Sequence, residues 1–131
     1  MIGIDTNVLV RYLAQDDPAQ STLATEIMEE WVTVQDPGFI SVVAMVETAR
    51  VLDRGFGLTA REIAAAIERV LQADLLVVEN EQEVFTSMVM LKEGRGSFGD
   101  ALIGALGAKA GCSHTITFDR KASRLPDFRR L

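Results

Sequence analysis

The chain has few of the residues that small proteins use for covalent or metal-based support. Its 131 residues include one cysteine and one histidine, so an intrachain disulfide or a zinc site of Cys and His ligands is excluded. Aromatic residues contribute only 6%, and the core must be built mainly from aliphatic side chains. A chain of this length can bury roughly two thirds of its unfolded surface. We therefore predict one domain over residues 1–131.

Long hydrophobic runs are also missing. No apolar stretch reaches the length of a membrane span, and the N-terminus has no basic segment followed by an apolar one. We therefore expect no membrane partner and a soluble, cytoplasmic protein.

Positive charge is scarce except near the C-terminus. The net charge is -6, which excludes a protein whose whole surface attracts nucleic acid. Residues 1–95 carry 16 acidic and 7 basic side chains, whereas residues 96–131 carry 3 and 6. The basic end could be a solvated surface or an edge that contacts phosphates. Its five cations are Arg120, Lys121, Arg124, Arg129 and Arg130.

Strand-like and helix-like segments alternate along the chain. Short apolar segments at 2–4, 39–40, 75–78 and 115–118 are typical of strands, and amphipathic segments between them are typical of helices. This alternation predicts an α/β fold, a three-layer α/β/α sandwich around a mainly parallel sheet. The segment 75–78 has four consecutive apolar residues, which predicts a strand covered on both faces.

Capping residues predict where several helices begin. Asp17-Pro18 predicts a helix whose apolar face runs through Leu23, Ile27, Trp31 and Val34. Ser41 predicts the start of a second helix that ends near residue 54. Thr59 to Glu62 has the pattern of a capping box. Further helices are expected over about 80–91 and 97–111.

One glycine-rich segment resembles a dinucleotide-binding fingerprint. Residues 94–99 read G-x-G-x-x-G, but the fingerprint must follow a strand, and this segment follows a helical pattern. A turn is the better interpretation. The chain also has few candidates for a catalytic nucleophile and its base, because Cys112 and His114 are the only thiol and imidazole.

Four acidic residues are more informative. Asp5 and Asp119 directly follow predicted strands, and ligand sites in open α/β sheets form beyond the carboxyl ends of strands. Asp100 begins a helix with a small apolar face. Asp5, Asp100 and Asp119 could each be only a helix or turn cap. Glu47 lies inside a helix within an apolar run, where a carboxylate is costly without a partner.

Glu47 favours a shared acidic site over a set of separate caps. Several carboxylates together need a counterion, and a ligand set made only of oxygen suits Mg²⁺ or Mn²⁺. We therefore predict a divalent metal site formed by Asp5, Glu47, Asp100 and Asp119.

The segments around these acids resemble the four acidic motifs of PIN domains. They are Ile2-Gly3-Ile4-Asp5-Thr6-Asn7-Val8-Leu9, Ser41 with Glu47 six residues on, Ser97-Phe98-Gly99-Asp100-Ala101-Leu102-Ile103, and Thr117-Phe118-Asp119-Arg120-Lys121. The resemblance covers the whole chain. Its length and basic ending further resemble the VapC-type toxins of prokaryotic toxin-antitoxin pairs.

This resemblance implies a metal-dependent ribonuclease that cuts single-stranded segments of structured RNA. Asp5, Glu47, Asp100 and Asp119 would hold one or two Mg²⁺ ions that activate a water, and Thr6 or Asn7 would orient a ligand or that water. It also implies a homodimer and a cognate VapB-type antitoxin. Phosphate contacts would come from Arg120, Lys121 and Arg124.

Two other functions compete with this one. Asp5 could be the covalent nucleophile of a phosphatase, although such sites generally have a second aspartate two residues on, where this chain has Asn7. The chain could instead be a noncatalytic binding module with the same fold. Such a module is expected to lose at least one acid, and all four are present.

Overall fold

The computed structural model describes all 131 residues, and they form two compact units, Met1–Glu81 and Gln82–Leu131. We call them unit 1 and unit 2. Each contains parallel strands and helices. No helix is long and apolar enough to cross a membrane.

Unit 1 contains a three-stranded parallel sheet. Strands β1 (Ile2–Gly3), β2 (Gly38–Ile40) and β3 (Leu76–Val78) lie in the order β1-β2-β3, as the short apolar segments predicted. Gly38 lets the central strand pack closely, because a Cβ there would lie 2.8 Å from Cδ2 of Leu76 and that side chain would have to shift. The carboxyl ends of parallel strands share one edge, so the residues that follow these strands belong to that edge.

The helices of unit 1 begin at the predicted caps. Asp17 accepts a hydrogen bond from the Gln20 backbone N–H at 3.0 Å, and Ser41 accepts one from Ala44 at 3.1 Å. The helical segments are α1 (Thr6–Ala14), α2 (Pro18–Glu26), a π-helical turn (Ile27–Trp31), α3 (Val42–Arg54) and α4 (Ala60–Gln72).

The predicted apolar face of α2 is wrong. Leu23, Trp31 and Val34 are all exposed, and Trp31 has 53% of its surface accessible. The buried face instead contains Ser21, whose hydroxyl donates to the Arg11 carbonyl of α1 at 3.0 Å. Small residues let α2 approach α1 closely, and the π-helical turn then shifts the phase of the residues that follow.

The prediction that β3 is covered on both faces is also wrong. Val78 is buried, but Val77 is 42% exposed. An uninterrupted apolar run cannot show which face of a strand lacks a neighbour, because that depends on where the helices pack.

Unit 2 contains the other two predicted helices, the strand predicted near residue 115 and a C-terminal strand that the sequence did not predict. Helices α5 (Glu81–Lys92) and α6 (Phe98–Lys109) lie close to their predicted bounds. Strand β4 (Thr115–Thr117) pairs in parallel with β5 (Phe128–Arg130). A short 3-10 helix, Ala122–Arg124, lies between these strands. Two cations of the basic C-terminal end, Arg129 and Arg130, are therefore part of a sheet.

Glycines allow close packing in unit 2. A Cβ on Gly104 of α6 would lie 2.5 Å from Cε2 of Phe128, and one on Gly96 would lie 2.8 Å from Cδ1 of Leu125. Gly94 has a φ of 71° in the turn after α5, a conformation that glycine adopts readily. The predicted turn at the G-x-G-x-x-G segment is thus observed, and it follows a helix.

Candidate active site

Asp5 lies at the carboxyl edge of the unit 1 sheet. It follows Ile4 and precedes α1, where its Oδ1 accepts a hydrogen bond from the Thr6 backbone N–H at 2.8 Å. Asp5 therefore caps α1, which is the structural role that the sequence left open for it. This bond occupies one carboxylate oxygen and leaves Oδ2 without a hydrogen bond to protein. Asp5 and Asn7 are exposed, and Thr6 is half-buried.

Glu47 is exposed on α3. The expectation that a carboxylate in this apolar run is costly without a partner is wrong, because α3 is amphipathic and turns Ala44, Met45 and Thr48 inward instead. Because the Glu47 carboxylate is not removed from water, burial gives no argument that it binds a metal. Its carboxylate makes no ion pair, however, and is available to a ligand.

Glu79 holds the first turn of the same helix in place. It follows β3, and its Oε1 accepts a hydrogen bond from the Val42 backbone N–H at 2.9 Å. Its own backbone N–H donates to the Ile40 carbonyl. This acid was missed in the sequence, although its position after a predicted strand is the signal that singled out Asp5 and Asp119. It is a positioning residue, because it orients the helix that carries Glu47.

Asp100 occupies the third position of α6, where a capping box is one explanation for an acid. The complete box at α4 provides a comparison: Thr59 accepts from the Glu62 backbone, and Glu62 Oε1 accepts from the Thr59 backbone at 3.0 Å. These bonds to Thr59 lower the pKa of Glu62 from 4.5. At α6 only Ser97 accepts, from the Asp100 backbone at 3.2 Å. The half-buried Asp100 carboxylate is not used in a box.

Asp119 lies in the turn after β4. Its Oδ1 accepts hydrogen bonds from the backbone N–H groups of Lys121 at 2.7 Å and Ala122 at 3.2 Å. The expected capping role is therefore present. Both bonds use the same oxygen, so Oδ2 stays free of hydrogen bonds to protein while the carboxylate is held in one orientation.

The three predicted phosphate-binding residues surround this turn. Arg120, Lys121 and Arg124 are exposed, and none makes an ion pair. Another cation of unit 2, Lys109, does pair, with Glu83 at 3.2 Å. Arg120, Lys121 and Arg124 are therefore free to contact an anionic ligand.

The thiol and the imidazole show no catalytic arrangement. Cys112 is an exposed free cysteine. His114 is exposed, and its Nδ1 lies 3.0 Å from the hydroxyl of the adjacent Ser113.

The donor chemistry of the four acids fits a magnesium ion. No group of three or more His, Cys, Asp or Glu side chains is arranged around a metal position. Two of the predicted ligands belong to unit 1 and two to unit 2. Each has at least one carboxylate oxygen free of hydrogen bonds to protein, which is the donor type that Mg²⁺ and Mn²⁺ prefer.

Comparison with known proteins identifies the family. No curated protein matches the chain significantly. The sequence profile of the PIN domain matches residues 2–127, so one match extends through both units. This match confirms the predicted α/β class with a mainly parallel sheet, and it is compatible with a three-layer α/β/α fold. The chain belongs to the PIN domain family, whose fold is of the nuclease type.

Proposed function

We propose that this protein is an endoribonuclease that depends on Mg²⁺ or Mn²⁺. Members of the PIN domain family are generally metal-dependent nucleases. The observation that carries the proposal is the state of the four motif acids, Asp5, Glu47, Asp100 and Asp119. Each keeps a free carboxylate oxygen even where capping occupies another. A domain that used these acids only as caps would not need Asp100 or Glu47, which cap nothing.

The proposed roles follow from the surroundings of each side chain. Asp5, Glu47, Asp100 and Asp119 would hold one or two cations, whose Lewis acidity would assist hydrolysis of the phosphodiester bond. The capping bonds of Asp5 and Asp119 fix those carboxylates before a ligand arrives, which lowers the entropic cost of binding.

Neighbouring residues would position the reactants. Thr6 or Asn7 would orient a ligand or the attacking water through hydrogen bonds. Arg120, Lys121 and Arg124 would contact phosphates of the RNA. Electrostatic attraction by these cations is needed because the rest of the protein is acidic.

We further propose that the protein is the toxin of a VapBC-type pair. The length, the four motifs and the basic ending support this assignment. Unit 1 exposes Leu23, Trp31 and Val34, apolar side chains of the kind that protein interfaces cover. A VapB-type antitoxin and a second copy of the chain are the expected protein partners, and an enzyme with this substrate is expected in the cytoplasm.

RNA cleavage by the purified protein tests the enzymatic proposal. We expect cleavage in Mg²⁺ or Mn²⁺ and none in EDTA. Asp5→Asn, Glu47→Gln and Asp100→Asn should each lower the rate by more than about 100-fold, because loss of an outer-sphere partner of a metal alone costs 10- to 100-fold. Asp53→Asn, an exposed acid on the same helix as Glu47, is the matched control and should cleave normally.

Equal rates for the Asp5→Asn protein and the parent, both free of contaminating nuclease, would reject the mechanism. Full activity in EDTA would reject the metal requirement. An inactive protein that still binds RNA would instead support the noncatalytic binding module.

A further inference from the structure

The small sheet of unit 2 has an apolar outer face. Side chains alternate along β4 and the residue after it: Thr115 and Thr117 are half-buried, whereas Ile116 is 59% and Phe118 is 81% exposed. Alternate residues of extended chain point to opposite faces. Ile116 and Phe118 therefore lie on the outer face.

The inner face is packed against α6, which fixes this orientation. A Cβ on Gly104 would lie 2.5 Å from Cε2 of Phe128, and one on Gly107 would lie 3.0 Å from Oγ1 of Thr115. The sheet is also closed at its end, where the Leu131 backbone N–H donates to the Thr117 carbonyl at 2.9 Å. Rotating Phe118 inward would require a shift of the whole strand.

A cation lies on the outer face as well. Ile116 pairs in register with Arg129, which places the guanidinium on the same face as Ile116. Residues 82–131 carry 8 basic and 5 acidic side chains, a balance of +3. None of the exposed cations of the C-terminal end makes an ion pair; they are Arg120, Lys121, Arg124, Arg129 and Arg130.

An exposed aromatic ring on the same face as a free arginine favours a single-stranded nucleic acid as the occupant. Unpaired bases stack on aromatic side chains, and Arg or Lys contacts the adjoining phosphates. A polyanion matches the charge of this unit. An acidic peptide with apolar side chains would also match the charge of this unit. Nothing in such a peptide, however, would specifically require an aromatic ring that is this exposed.

We propose that Ile116, Phe118 and Arg129 form a stacking platform for an unpaired base of the RNA substrate. Phe118 would stack on the base, Ile116 would contact its edge, and Arg129 would contact a phosphate. Phe118 directly precedes Asp119, so a base held on the ring would position the strand beside a proposed metal ligand. The choice of RNA rests on the proposed function.

Binding of labelled RNA in EDTA tests the platform without cleavage. We expect Phe118→Ala to weaken binding of a short fluorescein-labelled oligoadenylate by about 5-fold or more in fluorescence anisotropy. Phe118→Trp should restore binding, since it keeps a stacking surface. The salt dependence should stay unchanged for Phe118→Ala, whereas Arg129→Gln should lower the slope of log affinity against log salt by about 0.7.

Matched controls separate stacking from general damage. Phe85→Ala removes another exposed phenylalanine of unit 2 and should bind like the parent. A duplex RNA should show no Phe118 dependence, because its bases are already stacked. Thermal melting of Phe118→Ala should match the parent, since the ring is exposed.

Two outcomes would overturn the platform. Parent-like oligoadenylate affinity for Phe118→Ala would show that the ring does not bind a base, and a change in oligomeric state with unchanged affinity would assign this face to a second copy of the chain. Failure of the proposed function is distinguishable: RNA that binds through Phe118 but is never cleaved in Mg²⁺ would keep the platform and reject the enzyme.

Discussion

The two units of the molecule differ in net charge, although most cations in both are free of ion pairs. Unit 1 carries 14 acidic and 5 basic residues and unit 2 carries 5 and 8, so their balances are -9 and +3. In unit 1 several charged groups serve the structure itself, such as Glu79, Glu62 and Arg11. One cation in each unit makes a side-chain ion pair, Arg11 in unit 1 and Lys109 in unit 2. The difference teaches that unit 2 is the more favourable of the two for an anionic ligand, because its cations outnumber its acids.

Removing charge from each unit in turn gives the largest effect. Replacing Arg120, Lys121 and Arg124 with Gln should lower RNA affinity and reduce the slope of log affinity against log salt by about 2, or roughly 0.7 per lost phosphate contact of a single strand. Metal binding should remain. RNA titrations at several salt concentrations measure both quantities.

The control for this prediction is the same substitution in unit 1. Gln at Arg50, Arg54 and Arg61, which are exposed cations of the acidic unit, should leave the salt dependence close to that of the parent. Equal losses in both triple variants would show that only net charge matters, and the distinction between the units would fail.

The Asp119→Asn variant tests whether an acid that caps a turn also binds a metal. If the four acids share a site, the metal-free protein holds like charges close together, so Asp119→Asn should be as stable as the parent or more stable in EDTA. It should lose most of the stabilisation gained with Mn²⁺, which reaches about 2.7 kcal/mol at a hundredfold excess over Kd. Thermal melts of both proteins in EDTA and in Mn²⁺ make this comparison.

A cap alone predicts the opposite pattern. Asn keeps a side-chain oxygen for the Lys121 and Ala122 backbone groups but lacks the negative charge, so a modest loss of stability in EDTA is expected. Should the variant melt lower in EDTA and keep the full Mn²⁺ shift, Asp119 is a cap and not a ligand.

The smallest expected effect is on stability, and it concerns Glu62 and Asp100, each of which lies three residues after a helix-capping residue. The pKa of Glu62 is lowered from 4.5 by its bonds to Thr59, so its stabilising contribution is present above that pH and is lost as the pH falls through the lower pKa of the folded state. Glu62→Gln should therefore melt slightly lower than the parent at neutral pH, and the difference should vanish in acid.

Asp100→Asn in EDTA provides the comparison in unit 2. Both acids lie in the first turn of a helix, so their interaction with the helix dipole is similar. Only Glu62 completes a capping box. Asp100→Asn should therefore not show the loss of stability that comes from breaking a side-chain capping bond. A larger pH-dependent loss for Asp100→Asn would indicate that its carboxylate serves the fold.

The sequence was sufficient for local features of the chain. Asp17, Ser41 and Thr59 begin helices because their side chains satisfy N–H groups a few residues away, and short-range hydrogen bonds of this kind are readable from spacing. The same holds for the capping box at Glu62. The α/β class followed from the alternation of segments, and the four motif acids followed from their neighbours in sequence.

Tertiary structure decided which faces are covered. Trp31 is exposed although it was placed on an apolar helix face, and Val77 and Glu47 are exposed although their neighbours in sequence are apolar. Burial depends on which helix or strand packs against a segment, and periodicity alone cannot supply that partner.

Long-range contacts also formed the elements that sequence patterns did not show. Strand β5 is a short, basic segment with little strand character, and it exists because Phe128 packs against Gly104 and its backbone pairs with β4. Glu79 is recognised as a positioning residue only from its hydrogen bond to the backbone of Val42, 37 residues away in the chain. Composition and spacing describe neighbours along the chain, whereas these contacts join residues that only folding brings together.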